Sequence, residues 1–178
     1  MDRALLMALV IAFMLLLLGL MALGWRGRKR RQAALPLPRR LEGETGENLF
    51  ETDSFYVATT AAGQPLERIA VGGLGFRARA AVVVAERGVV LALRGGHPLW
   101  IPSQEIVGTD RATWTIDRVV EPDGLVLLAW NLVDDAGETT RVDSYLRFDA
   151  PSEATAFIAA VERLLDQEPT PSAQGGIA

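Results

Sequence analysis

Residues 141–165 read RVDSYLRFDAPSEATAFIAAVERLL, and the spacing of their apolar positions changes halfway. Val142, Ser144, Leu146 and Phe148 alternate with Arg141, Asp143, Tyr145 and Arg147. That period of two belongs to a strand with one face against a core. From Ala154 onward the period is helical: Ala154, Phe157, Ile158, Val161, Leu164 and Leu165 share one stripe, with Glu153, Glu162, Arg163 and Asp166 off it. Asp149 is placed to cap this helix, and Pro151 suits its first turn. A single amphipathic helix after a series of strands needs an apolar surface to cover. The economical answer is the open mouth of a strongly bent sheet or small barrel.

The residues upstream supply those strands. Phe76, Ala78, Ala80, Val82 and Val84 alternate with Arg77, Arg79, Ala81, Val83 and Ala85, and Glu86-Arg87-Gly88 turns the chain into the run 89–93. Arg94-Gly95-Gly96-His97-Pro98 makes the next turn before Leu99-Trp100-Ile101. Trp114 and Ile116 alternate with Thr113, Thr115 and Asp117; Val126, Leu128, Trp130 and Leu132 point one way, and Asp134-Asp135-Ala136-Gly137 closes another hairpin. With residues 55–60 counted first, about seven antiparallel strands precede the helix.

Composition divides the chain into an anchor at 1–25, a basic stalk and linker at 26–48, a mainly-β domain at 49–167 and a disordered tail at 168–178. Residues 4–25 are 22 positions without a charge, which as a helix would span about 33 Å, enough for a bilayer's hydrocarbon core. The stretch exceeds the apolar part of a secretory signal, and basic residues follow it, so a retained transmembrane helix is the expectation over a cleaved signal. Residues 26–40 carry seven basic side chains and no acidic one. By the excess of Lys and Arg on the cytoplasmic side, the N-terminus faces outward and the domain hangs from the inner membrane in the cytoplasm. Arg26, Arg28, Lys29, Arg30 and Arg31 are the residues expected to meet lipid headgroups. Ala4, Ala8 and Ala12 form a small-residue row through which two anchors can pack.

Beyond residue 40 the balance reverses: 10 arginines stand against 21 acidic residues, a net charge of −11. Such a domain does not read nucleic acid, where phosphate neutralisation dominates affinity. The partners expected are the bilayer and other membrane or membrane-associated proteins. With no cysteine and a single histidine, His97, thiol chemistry, disulfides, cysteine zinc sites and multi-histidine metal sites are excluded within the chain. No cofactor and no metal are expected. Gly72-Gly73-Leu74-Gly75 lacks the strand-loop-helix setting and the Lys-Ser/Thr ending of a phosphate loop. No G-x-S-x-G motif is present, so no residue is assigned a catalytic role and the chain is not read as an enzyme. Arginines are the main binding candidates: Arg77 and Arg79 project from one face of one strand. Arg94, Trp100, Arg141, Tyr145 and Arg147 complete the set of candidate ligand or partner contacts. Trp100, Trp114 and Trp130 sit in period with apolar neighbours and are read first as core.

Seven antiparallel strands capped by a C-terminal helix resemble the pleckstrin-homology (PH) architecture. The stretches Gly73-Leu74-Gly75-Phe76-Arg77, Trp100-Ile101-Pro102 and Asp117-Arg118-Val119-Val120-Glu121 resemble bacterial PH-like domains. So do Asp143-Ser144-Tyr145-Leu146-Arg147, the Trp130 strand and the closing Phe157-Ile158 helix. The resemblance spans roughly 50–167 plus the anchor, and the layout is similar to actinobacterial single-pass proteins, some labelled transporters or export proteins. It implies a PH-like bent sheet and an interaction module. In eukaryotic PH domains the first long loop carries basic residues for phosphoinositide headgroups, whereas residues 61–74 here offer only Arg68, beside Glu67. The expected function is a membrane-anchored cytoplasmic module for protein interaction or scaffolding. The alternatives are an accessory component of a transporter or membrane enzyme, and anionic-lipid sensing through the stalk.

Overall fold

The computed structural model describes residues 3–32, 35–112, 114–115, 118–119, 124–134 and 136–167. They fall into two compact units, Met1–Leu35 and Pro36–Ala178. The first holds helix α1 (Arg3–Gln32), whose segment Arg3–Gly27 is long and apolar enough to cross a membrane. The helix continues past Trp25 to Gln32, so the first part of the expected stalk is helical. Arg, Lys and Gln are all good helix formers, which lets the helix run on through the charges.

The second unit is built on a nine-stranded antiparallel sheet. Its strands are β1 (Arg39–Arg40), β2 (Asn48–Ala61), β3 (Gln64–Arg68), β4 (Ala78–Ala85), β5 (Gly88–Leu93), β6 (Leu99–Pro102), β7 (Ile106–Ala112), β10 (Leu125–Val133) and β11 (Thr139–Phe148). The short strands β8 (Trp114–Thr115) and β9 (Arg118–Val119) pair separately. The spatial order is β1-β6-β5-β4-β2-β11-β10-β7, with β3 also paired to β2. The 14-residue β2 joins the two halves: its first part pairs with β4, from Asn48 opposite Ala85 to Tyr56 opposite Ala78. Its later part pairs with β11, from Ser54 opposite Phe148 to Ala61 opposite Val142. Within the β11 ladder Val57 is an extra residue, since Tyr145 faces Ala58 and Leu146 faces Tyr56. Such a bulge bends the strand and turns the sheet over the core.

The inner face carries Val82, Val84, Val89, Leu91, Ile101, Leu128, Trp130, Leu132, Val142 and Leu146, all fully buried. Helix α2 (Pro151–Gln167) closes it with Ala154, Phe157, Ala160, Val161 and Leu164. Phe157 packs its ring 5.3 Å from that of Phe148 and 6.1 Å from that of Phe50. The helix start is held by Glu153, which accepts from the Ala150 backbone N–H at 3.0 Å and from Thr52 Oγ1 at 2.8 Å. This is the returning half of a capping box. Asp149, expected as the cap, lies one residue too early and pairs with Arg79 instead.

Further differences from the sequence reading concern the ends of strands. The fifth strand was expected around Trp114; the strand that joins the main sheet is β7, just before it. Ile116, Asp117, residues 120–123, Asp135, residues 168–178 and the side chains of Trp114 and residues 28–32 lie outside the described residues. Asp134 is a turn residue as expected, accepting from the Ala136 and Glu138 N–H groups. The linker reading of residues up to 48 gives way in part to structure: Arg39 and Arg40 pair with Trp100 and Leu99, and Pro38 is buried.

Candidate functional site

Two clefts open where the segment 37–44 runs along the sheet. The first, about 380 Å³, is lined by Leu37, Pro38, Arg40, Phe76, Arg94 and His97, among others. Its wall is the Gly72-Gly73 turn, at φ +63° and +87°, and a Cβ at Gly72 would collide with the Pro38 ring. Only glycine allows both that backbone and that approach. Phe76 was expected to begin the inward alternation of β4. The strand starts two residues later, and Phe76 stands 82% exposed at the cleft mouth, with Leu37 68% exposed nearby.

The second cleft, about 680 Å³, lies between Arg39, Arg40, Glu42 and Glu44 on one side and Arg87, Trp100 and Gln104 on the other. Beside it Arg39 Nε donates to Glu105 Oε1 at 2.8 Å, and the Glu105 side chain is only 5% exposed. Burial pushes the Glu105 carboxyl upward from its ordinary value, and the Arg39 guanidinium pulls it partly back.

Arg79 crosses Phe55, its guanidinium carbon 4.0 Å from the ring centroid, and meets Asp149 Oδ2 at 3.2 Å. Register places Arg147 opposite Phe55 and Phe55 opposite Arg79, so these three side chains share one outer face. Arg79 and Arg94 line a further recess with Asp53. The Arg79–Asp149 pair is open to solvent on both sides and contributes little, at most about 1 kcal/mol. Arg77 and Arg141 are exposed, as is Arg26 on α1. Trp100 is half-buried at the second cleft, and Trp130 is core.

Tyr145 does not fit a contact site. It is 4% exposed, packed with Val57 and Leu125 in a small cluster on the sheet's second face. Its neighbour Asp143, also expected on the solvent side, is 8% exposed and accepts from the Gly63 N–H at 3.2 Å. The Val57 bulge and the β2–β3 turn cover that end of the outer face, which strand alternation alone does not foresee. Burial, with Asp143 nearby, raises the Tyr145 phenol above its ordinary value. Among the described residues, no three His, Asp or Glu side chains gather as metal ligands.

At the far end of the strand order from β1 lies β7, which among the described residues pairs only with β10. Val107 is an extra residue there, since Ala129 faces Gly108 and Trp130 faces Ile106, and it is 40% exposed. Helix α2 flanks this strand, with Arg111 Nη2 donating to Thr155 Oγ1 at 2.7 Å.

A family model described as bacterial PH domain-like matches residues 33–162. The chain belongs to the bacterial PH-like family. The matched span of this PH-like domain includes β1 and Leu37, so the segment after α1 is part of the domain. No curated protein matches the sequence significantly. Among solved structures, the domain is similar to a chain of "The 8S snRNP Assembly Intermediate" at 6% identity and TM-score 0.51, covering 79% of this chain and 98% of that one. A second similarity is to "Apo structure of the activated truncation of Vav1", at 9% identity and TM-score 0.42, covering 68% of this chain and 27% of that one. At such identities the first likeness concerns fold alone. PH-like domains are in general non-catalytic modules that bind protein or lipid.

Proposed function

We propose that this protein is a membrane-tethered interaction module that captures an extended segment of a membrane-associated protein along β7, beside α2. The observation that carries this reading is the contrast between the sheet's two edges. One edge is covered from within the chain by β1, which pairs with β6. The other, β7, has no strand beyond it among the described residues and presents Val107 outward from a bulge. An exposed edge supplies backbone donors and acceptors to an incoming strand, and alternate side-chain positions supply selectivity.

The apolar helix gives the tether its purpose. Confinement to one leaflet raises the effective concentration of any partner held in the same membrane, so a short edge contact is enough. A photoreactive residue at position 107 in the full chain tests the proposal, with one at Leu66, more open to solvent still but on β3 away from β7, as control. The expected result is a discrete adduct from 107 in membranes that is absent from 66. Equal adducts from both positions, or none from 107, would remove the reading.

A further inference from the structure

We infer that residues 36–47 form a strap that comes off the sheet as a unit while the rest of the domain stays folded, and that its release lengthens the tether between α1 and the domain. The release rests on the strap's own contacts. Only its consequence for reach rests on the tethered reading, and neither rests on partner capture at β7, at the other end of the strand order. The strap is thinly held. Of residues 36–47 only Pro38 is buried, next to Gly72. At one end β1 contributes two residues to the sheet, and the Leu41 N–H adds a bond to the Pro98 carbonyl at 3.2 Å. At the other end the Thr45 and Glu47 carbonyls accept from the Arg87 and Glu86 N–H groups at 3.2 and 3.1 Å. Between these attachments the chain borders, with half-buried Trp100, the cleft of about 680 Å³.

Ordering backbone costs about 1–2 kcal/mol per residue, and a segment that buries a single proline recovers little of it. Such a segment sits at the low end of local stability. Gly43, at φ +99°, supplies the hinge: without a Cβ it passes between that left-handed turn and an extended path at no steric cost. One contact makes the strap a two-state element rather than a fraying end. Arg39 Nε donates to Glu105 Oε1 at 2.8 Å, and the Glu105 side chain is only 5% exposed, so β1 leaves its seat only by uncovering an enclosed charge. With the strap seated, residues 33–35 alone join α1 to it, an extended reach of about 10 Å; with it off, residues 33–47 do, a reach of about 50 Å. Release also bares the β6 edge and the Trp100 ring beside it.

The chain has no cysteine, so a pair introduced as Leu41→Cys and Pro98→Cys can close only on itself within one copy. The β1–β6 register, continued by one residue, sets the two positions opposite each other, and neither is buried. Hydrogen exchange is followed on the full chain in nanodiscs of phosphatidylcholine and phosphatidylglycerol. In the wild type the amides of Leu41, Glu86 and Arg87, which hold the strap at its two ends, should exchange at one common rate, about tenfold or more above the amides of β5. Oxidising the cysteine pair ties down one end and should slow Glu86 and Arg87 at the other, with reduction restoring the fast rate. Glu86 and Arg87 exchanging as slowly as β5 in the wild type, or unaffected by the disulfide, overturns the release. Reach is read separately, by energy transfer from a dye on Leu66→Cys, at an exposed position, to acceptors on the lipid headgroups. Arg39→Ala, which opens the latch, should lower that transfer. Faster exchange with unchanged transfer overturns the lengthened tether. A chain that does not enter discs strikes the tethered reading, and the release is then decided by the same exchange rates in detergent.

Discussion

Trp130, Ser144, Thr59 and Tyr56 form a chain of buried hydrogen bonds whose direction follows from the donors available. Trp130 Nε1–H can only donate, to Ser144 Oγ at 2.9 Å. Tyr56 spends its single proton on the Leu74 carbonyl at 2.9 Å. Thr59 Oγ1 must therefore donate to Tyr56 and Ser144 Oγ to Thr59, both at 2.7 Å. Burial drives the Tyr56 phenol well above its ordinary value, so it stays protonated and keeps this donor role at all ordinary pH. The chain ties β10, β11 and β2 to the loop around buried Leu74. Tyr56→Phe strands the Thr59 hydroxyl and the Leu74 carbonyl, and should cost about 1–3 kcal/mol in urea unfolding of the full chain in detergent. Ser144→Ala should cost a similar amount, and the double variant less than the sum, because both break one chain. Glu105 makes a second prediction, in pH. Its folded carboxyl binds its proton more tightly than the ordinary value of 4.5, so the native state holds more protons just above that pH. The stability this provides is complete below 4.5 and is lost as pH rises through the raised value. Melting curves across that range should fall less steeply for Glu105→Gln than for the wild type.

At the scale of elements, β1 is the least secure part of the sheet: two residues paired to β6 and clamped by Arg39 on buried Glu105. Arg39→Ala leaves that carboxylate enclosed without its cation. Hydrogen exchange should then speed at least several-fold in β1 and β6, while β4 and β11 keep wild-type protection. Nothing in the sequence around Arg39-Arg40 announces a strand, since two charged residues between prolines and glycines carry no period. β7 was hidden for a related reason: Ile106 to Ala112 mixes Gly108, Asp110 and Arg111 with little alternation, and pairing with β10 decides its state. By contrast Val82-Val84, Val89-Leu91, Leu128-Trp130-Leu132 and the α2 stripe are legible, because each puts its apolar residues at the period of its element and buries all or, in α2, most of them. The site was harder to read. Arg79 was foreseen as exposed, but its seat on Phe55 depends on register across two strands. Alternation puts Tyr145 on the water side, but a bulge and a turn cover that face and bury it.

On the scale of the whole molecule, charge is segregated along the chain: a basic run directly after the apolar helix, then an acidic domain. Basic residues flanking a span resist translocation, whereas acidic residues contribute little to orientation, so the sign of the domain does not oppose the cytoplasmic placement expected from the stalk. The same run would also have to pass the hydrocarbon if the domain were exported, and each Arg or Lys at the membrane centre costs about 2.5–3.5 kcal/mol on insertion scales. A phosphatase that works only outside the cytoplasm, fused after Ala178, should therefore be inactive, while a fluorescent protein at the same site should glow. Neutralising Arg26, Arg28, Lys29, Arg30 and Arg31 together removes five of the seven flanking charges and should give a mixed population with measurable phosphatase activity. The intact mass of the purified chain separates this from the remaining explanation of an apolar N-terminal helix. A chain beginning near Trp25 would mean a cleaved signal and would free the domain from the bilayer.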